Sequence, residues 1–272
     1  YPGSTFSGFN VANAKVTEKD IAAENGVIHI IDKVVTPLNS IDQYLRNKPQ
    51  YSLFRSIIER FMVLFIKNVD ATRKYQVLKG GNTDVMVKVY SNLLAFSPNN
   101  ENYFKLQDND GQRDGWTIFV PTNDSLTKYI NTVVLQQYPS INSLPLSIIS
   151  DLLNAHMWQS TVWPSKFSST YNFLGEPAKM NNTTDIVEKK VLSNGIFYGT
   201  KKVNEPNVFS TIYGKAYLNP NYSLMTRLLD QELKPIITNP NVKYTMFMVS
   251  DAVLAAKGYS YNPGSNLWSY LG

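Results

Sequence analysis

The sequence predicts an α+β fold laid out in tandem repeats, and three pairs of similar segments predict it. Residues 25–37 (NGVIHIIDKVVTP) are similar to residues 194–206 (NGIFYGTKKVNEP), an offset of 194 − 25 = 169. Residues 51–58 (YSLFRSII) are similar to residues 222–229 (YSLMTRLL), an offset of 222 − 51 = 171. Residues 117–126 (TIFVPTNDSL) are similar to residues 245–254 (TMFMVSDAVL), an offset of 245 − 117 = 128. Self-similarity at a long period is the mark of a repeated structural unit.

Each pair has its own local reading. The first opens on an Asn-Gly turn, runs through a strand and is stopped by Pro37 or Pro206. The second is an amphipathic helix, with Leu53, Phe54, Ile57, Ile58 and Phe61 on one face and Leu224, Met225, Leu228 and Leu229 repeating the pattern. The third is a short buried-type strand followed by Thr122 or Ser250, residue types whose oxygen caps the helix that follows. The third offset is shorter than the second by 171 − 128 = 43 residues, so the earlier copy carries an insertion, expected as a polar stretch over 67–115.

Composition bounds the rest. The 272 residues are 43% hydrophobic, enough for one or two domain cores. The net charge is +5, but the lysines and arginines are scattered and no groove-reading motif accompanies them, so nucleic acid is not an expected partner. There is no cysteine, which excludes disulfides, thiolate catalysis and Cys-type zinc sites and leaves the compartment open. The first eight residues are polar and turn-like, and the longest compact apolar run, 61–66, is too short to span a bilayer, so any signal or anchor is expected outside this chain.

Taken together, the three motifs resemble those of the fasciclin domain. Residues 117–126 are similar to that family's first signature and residues 25–37 to its second, while Leu152, Leu153 and His156 stand where the family has a leucine pair before a Tyr-His step, with Ala155 in place of the Tyr. In the second copy Tyr198 replaces His29, Lys201 replaces Asp32, and Val249 stands where the earlier copy has Pro121. The resemblance implies a twisted β-wedge with short helices packed against it, in an array of bacterial origin. It divides the chain into residues 1–40, the C-terminal part of one repeat, residues 41–206, a complete repeat, and residues 207–272, the N-terminal part of a third. A half-domain leaves a core unfinished and strand edges bare, so 1–40 and 207–272 are expected to pack as one composite domain, within a chain or between chains. Asn25, Gly26, His29, Thr117, Pro121, Thr122 and His156 are the structural motif residues the resemblance implies, His29 as a buried hydrogen-bonding residue.

The function expected from the resemblance is non-catalytic adhesion or binding, extracellular or at a cell surface, toward a protein or glycan, with no cofactor and no metal. An accessory surface-lipoprotein subunit of a bacterial outer-membrane uptake complex, with a membrane-complex partner, is the alternative. Asp32 is a binding candidate because the family's second-signature Asp has been tied to adhesion. Trp158, Trp163 and Tyr171 are candidates because exposed aromatics stack on sugars or anchor protein interfaces. Residues 108–115 hold three carboxylates beside glycine, but the spacing does not match a calcium loop, and a polar turn is expected. No nucleophile elbow, phosphate loop or Ser-His-acid set is present, so no enzyme is expected.

Overall fold

The computed structural model describes residues 6–11, 14–35, 38–99 and 115–271. In chain order the first elements are β1 (Asn10–Val11), β2 (Ala14–Ala23) and β3 (Gly26–Ile31). The middle of the chain holds α1 (Ile41–Arg46), α2 (Ser52–Glu59), β4 (Met62–Lys67), α3 (Val69–Lys79), β5 (Met86–Tyr90), β6 (Trp116–Pro121), α4 (Asn123–Tyr129), α5 (Leu146–Asn154), β7 (Met157–Trp158), β8 (Ile186–Leu192) and β9 (Gly195–Thr200). The last part holds α6 (Asn207–Ser210), α7 (Ile212–Tyr217), α8 (Ser223–Glu232), α9 (Lys234–Ile237), α10 (Asp251–Ala256), β10 (Tyr259–Asn262) and β11 (Leu267–Tyr270). The architecture is α+β, as the sequence predicts.

The centre is a four-stranded sheet in the order β7-β6-β9-β8, with β6 and β9 parallel and the outer pairs antiparallel. Side chains of a strand alternate between faces, and both faces here are buried. Ile118 and Val120 of β6 and Phe197 of β9 point into a core built with Phe54, Ile57, Ile58, Leu126, Ile149 and Leu153 from α2, α4 and α5. Phe119, Ile196 and Tyr198 point the other way, against Trp158, Val162, Phe167, Ala178 and Met180. The regular helices lie on the first face, and a largely non-helical layer over 162–180 covers the second.

Local chemistry explains the element ends. Ser40 and Gln43 form a reciprocal capping box that starts α1. At the β8–β9 turn, Asn194 is fully buried: its Oδ1 accepts from the Ile41 N–H at 2.9 Å, and its Nδ2 donates to the carbonyls of Pro98 and Asn99 at 2.9 and 3.0 Å. The next residue must be glycine, because a Cβ on Gly195 would sit 2.1 Å from the Trp116 carbonyl oxygen on the neighbouring strand.

The expected helix caps at Thr122 and Ser250 are not made by those side chains. Thr122 donates its hydroxyl to Ser125 Oγ instead. The residue after each of them reaches back to the helix of the second motif. Asn123 Oδ1 accepts from the Leu53 N–H in the first turn of α2 at 3.0 Å. Asp251 accepts from the N–H groups of Ser223 and Leu224 in the first turn of α8 at 3.1 and 2.9 Å. These contacts satisfy donors that a helix leaves unpaired. The two copies therefore share a tertiary contact as well as a sequence pattern.

The repeat extends to element order. A helix, a 3₁₀ turn and a longer helix follow one another as α1, Pro49–Tyr51 and α2, and again as α7, Pro220–Tyr222 and α8. The β2–β3 hairpin likewise repeats β8–β9: Ala23 pairs with Gly26 across its turn, as Leu192 pairs with Gly195. The described part of the insertion expected over 67–115 holds regular elements. Where the later copy has only the short α9 between its longer helix and the third motif, the earlier copy carries β4, α3 and β5, an arm with many exposed apolar residues. Residues 100–114, including most of the acidic 108–115 segment, lie outside the described residues, as do Thr36 and Pro37.

Candidate interaction surface

The sequence-predicted aromatics separate into one buried residue and two exposed ones. Trp158 has no exposed surface: it lies at the end of the short β7 strand with its ring centroid 4.8 Å from that of Phe119, and its indole N–H donates to the Thr170 carbonyl at 3.4 Å. Strand pairing with Thr117 turns it into the core, so its expected role on the surface is corrected to a packing role. Trp163 and Tyr171, in the layer that follows, are 56% and 63% exposed, and Phe173 beside them in sequence is also exposed. Trp163 lines a shallow recess of about 290 Å³ with Leu38, Thr161, Val191 and Gly195.

The motif residues have mainly structural work. Thr117 is buried, and its hydroxyl accepts from the Val162 N–H and donates to the Ser160 carbonyl, both at 2.8 Å, fixing the turn after β7. Pro121 ends β6. His156 is fully buried, with Nδ1 2.8 Å from the Leu152 carbonyl and Nε2 accepting from the Asn204 N–H at 2.9 Å. That pairing requires the neutral ring with its proton on Nδ1, and burial pushes its pKa down to about 4. His29 is not buried as expected. It is half-buried, its Nδ1 accepts from the Asp20 N–H at 3.1 Å, and its ring meets the edge of Phe9. The difference from the central sheet is in the neighbours: among the described residues β3 pairs with β2 alone, and no counterpart of β6 covers it. Asn25 and Gly26 are exposed for the same reason. Asp32 is exposed too, and one of its oxygens accepts from the Lys15 N–H at 2.8 Å.

Sequence reasoning missed the arm. Its base is rigid: Phe61 and Tyr90 are buried, Tyr90 donates to Asp42 at 3.1 Å, and Lys88 bridges Asp42 and Glu59. Burial, reinforced by the two carboxylates, raises the Tyr90 hydroxyl pKa and keeps it a donor. Beyond the base, Val63, Leu64, Phe65 and Ile66 of β4 are all exposed, so both faces of the strand are bare. Val77 and Leu78 of α3 are each 80% exposed. Clustered apolar exposure of this kind marks an interaction site, whereas scattered single residues do not. The signal was the apolar run 61–66.

A cleft of about 730 Å³ lies at the junction between the central unit and the segment after it, lined in part by Asp151, Glu176, Lys179 and Lys234. Burial raises the pKa of both carboxyls. Both are already engaged in holding the junction. Glu176 accepts from the Asn207 N–H at 2.8 Å and from Lys179 at 3.1 Å, and Asp151 accepts from the Tyr217 hydroxyl at 2.8 Å. Among the described residues no group of His, Cys, Asp and Glu is placed to hold a metal ion, and no helix is long and apolar enough to cross a membrane.

Comparison with known proteins gives a partial family match. Residues 4–37 match the family model of the fasciclin domain. No curated protein matches the chain. Among solved structures, a FAS1 domain pair from the insect cell adhesion molecule Fasciclin I is similar, at 15% identity and a TM-score of 0.34, over 70% of this chain and 59% of that one. This chain thus matches less than two thirds of that pair.

Proposed function

We propose that this chain, with its fasciclin-type segment at 4–37, is a non-catalytic binding and adhesion module, extracellular or at a cell surface, and that its arm engages a protein partner. The observation that carries the reading is the arm itself: a rigid base presents the exposed residues of β4 together with Val77 and Leu78. An apolar surface of this composition favours a protein over a glycan, because protein interfaces bury apolar side chains at their core. The glycan reading rests on Trp163 and Tyr171, which are exposed and able to stack on sugar rings. The non-catalytic reading is supported by the cleft, whose carboxylates are engaged in the junction. It is also supported by the histidines, which sit in separate repeats, one of them sealed inside the core.

A photo-reactive residue at position 65 or 78 tests the arm, with one at position 163 as the comparison. Cell-surface protein is expected to label from the arm positions, with competition by unlabelled chain but not by the Phe65→Ser, Val77→Ser, Leu78→Ser triple variant. Labelling only from position 163, or competition by the triple variant as strong as by wild type, contradicts the arm reading. Recovery of one stoichiometric membrane-complex subunit would favour the accessory-subunit role over free adhesion.

A further inference from the structure

We propose, resting on the reading of the arm as the binding surface, that its partner is a protein with an acidic face: carboxylates meet Arg73 and Lys74 of α3, and an apolar recess beside them takes Val77 and Leu78. Helical spacing brings these four residues together. Positions 73, 74, 77 and 78 share one side of an α-helix. The opposite side of α3 is tied to the chain that follows it. Thr72 is buried and its hydroxyl oxygen accepts from the Val85 N–H at 2.9 Å, while the Gln76 amide donates to the Thr83 carbonyl at 3.3 Å. Asn68 caps the helix, its Oδ1 accepting from the Ala71 N–H at 2.9 Å, and Gly80, at a φ of 73°, ends it. These ties leave Arg73, Lys74, Val77 and Leu78 exposed together on the outward side.

The charge on that side is unbalanced. Lys67 is paired with Asp84 at 2.8 Å, and Lys88 at the base is paired with Asp42 and Glu59. Arg73, Lys74 and Lys79 have no ion pair among the described residues. Against these three cations α3 holds one acidic residue, Asp70, in its first turn, where negative charge suits the helix dipole. Cations beside two bare apolar side chains form the anatomy of a protein interface, with an apolar centre and a charged rim. Rim charge of one sign selects a partner of the other sign and speeds their encounter.

The same features disfavour two other occupants. A second copy of this chain carries a net charge of +5 and so meets like charge on balance. A lipid surface fits poorly because the arm's charges stand at its far end. β4 runs outward from Met62, opposite the buried Tyr90, to Lys67, opposite Met86, and α3 with residues 80–85 joins the strands there. Sinking β4 into lipid would first carry in the Lys67–Asp84 pair and the charges of α3. A helix lying in the lipid interface needs an apolar face along its length, whereas the outward side of α3 has large apolar residues only at Val77 and Leu78.

The photo-reactive residue at position 78 supplies the readout on cell-surface membranes. The unlabelled competitors are wild type, the Arg73→Gln, Lys74→Gln variant and the Arg73→Glu, Lys74→Glu variant, each at about 0.1 M and about 1 M salt. Charge reversal is expected to weaken competition about tenfold at the lower salt, and neutralisation less, because each exposed ion pair is weak and reversal turns attraction into repulsion. The gap is expected to close at the higher salt, as the screening length falls from about 10 Å to about 3 Å. Both side chains are exposed, so the urea midpoints of the variants are expected to match wild type, which separates lost charge from lost folding. Competition by Arg73→Glu, Lys74→Glu as strong as by wild type at about 0.1 M salt would overturn the acidic partner and leave the arm reading standing. Absence of competed labelling from positions 65 and 78 would remove both. Vesicles of phosphatidylserine and phosphatidylcholine are the second probe, and wild type is expected not to sediment with them. Sedimentation of wild type but not of the charge-reversed variant would assign the cations to a lipid surface and overturn the protein partner.

Discussion

Asn194→Ala and Asn25→Ala remove the same motif residue from two copies, with very different expected costs. Asn194 is fully buried, and its amide serves the Ile41 N–H and the Pro98 and Asn99 carbonyls. Pro98 keeps a second donor, the Asp42 N–H at 2.8 Å, so its carbonyl remains satisfied after the substitution. The Ile41 N–H, on a fully buried residue, loses the side-chain acceptor it has at the start of α1. Leaving a buried polar group unpaired costs about 1–3 kcal/mol, so Asn194→Ala is expected to destabilise the central unit by about that much. Asn25 is exposed, and in the isolated chain its loss is expected to cost less than about 0.5 kcal/mol. Urea unfolding followed by tryptophan fluorescence reads the difference, because Trp116, Trp158 and Trp163 all lie in the central unit. Equal midpoint shifts in the two variants, or none in Asn194→Ala, would refute the reasoning.

Further outcomes follow from the same contacts. Trp158→Ala is expected to cost about 3–5 kcal/mol as a core truncation, and Trp163→Ala less than about 0.5 kcal/mol, both measured by denaturant midpoint. The folded state holds His156 neutral, with a pKa near 4 against 6.5 in a free chain, so the unfolded state binds the extra proton first. Its contribution is fully present above pH 6.5 and is lost as pH falls toward 4, by up to about 3 kcal/mol. Stability measured across that window should rise with pH less steeply in His156→Gln than in wild type. Asp251→Ala removes the acceptor for the first turn of α8 and is expected to cost about 1 kcal/mol, seen as faster amide exchange over 223–232.

The sequence was most informative where a pattern repeats within short range. The strand and amphipathic-helix motifs, and the strand-to-helix motif of the earlier copy, lie where periodicity and turn residues placed them, whereas the strand expected over 245–249 is not formed. Contacts between distant segments were not legible. Thr122 was read as a cap because hydroxyls often cap the helix that follows, whereas the cap actually made joins Asn123 to Leu53, a pairing that depends on how two helices cross. Trp158 was a binding candidate together with Trp163 and Tyr171, but a two-residue edge strand turns it inward. The arm was overlooked because its helix is polar on average and its apolar residues have no core-facing period. Exposure is a property of what packs alongside, which a single strand's own residues do not record. His29 shows the same limit: its motif implies burial, but the strand that would bury it is not beside it.

Amide exchange at high dilution tests most directly whether a complete unit stands between two unfinished halves. Residues 117–121 and 245–249 are counterparts in sequence, so their exchange under one condition compares a paired strand with an unpaired one. The account predicts strong protection for 117–120, whose strand lies between two others, and exchange near the unfolded rate for 245–249, which pair with no strand among the described residues. Equal protection of both segments at high dilution would contradict it.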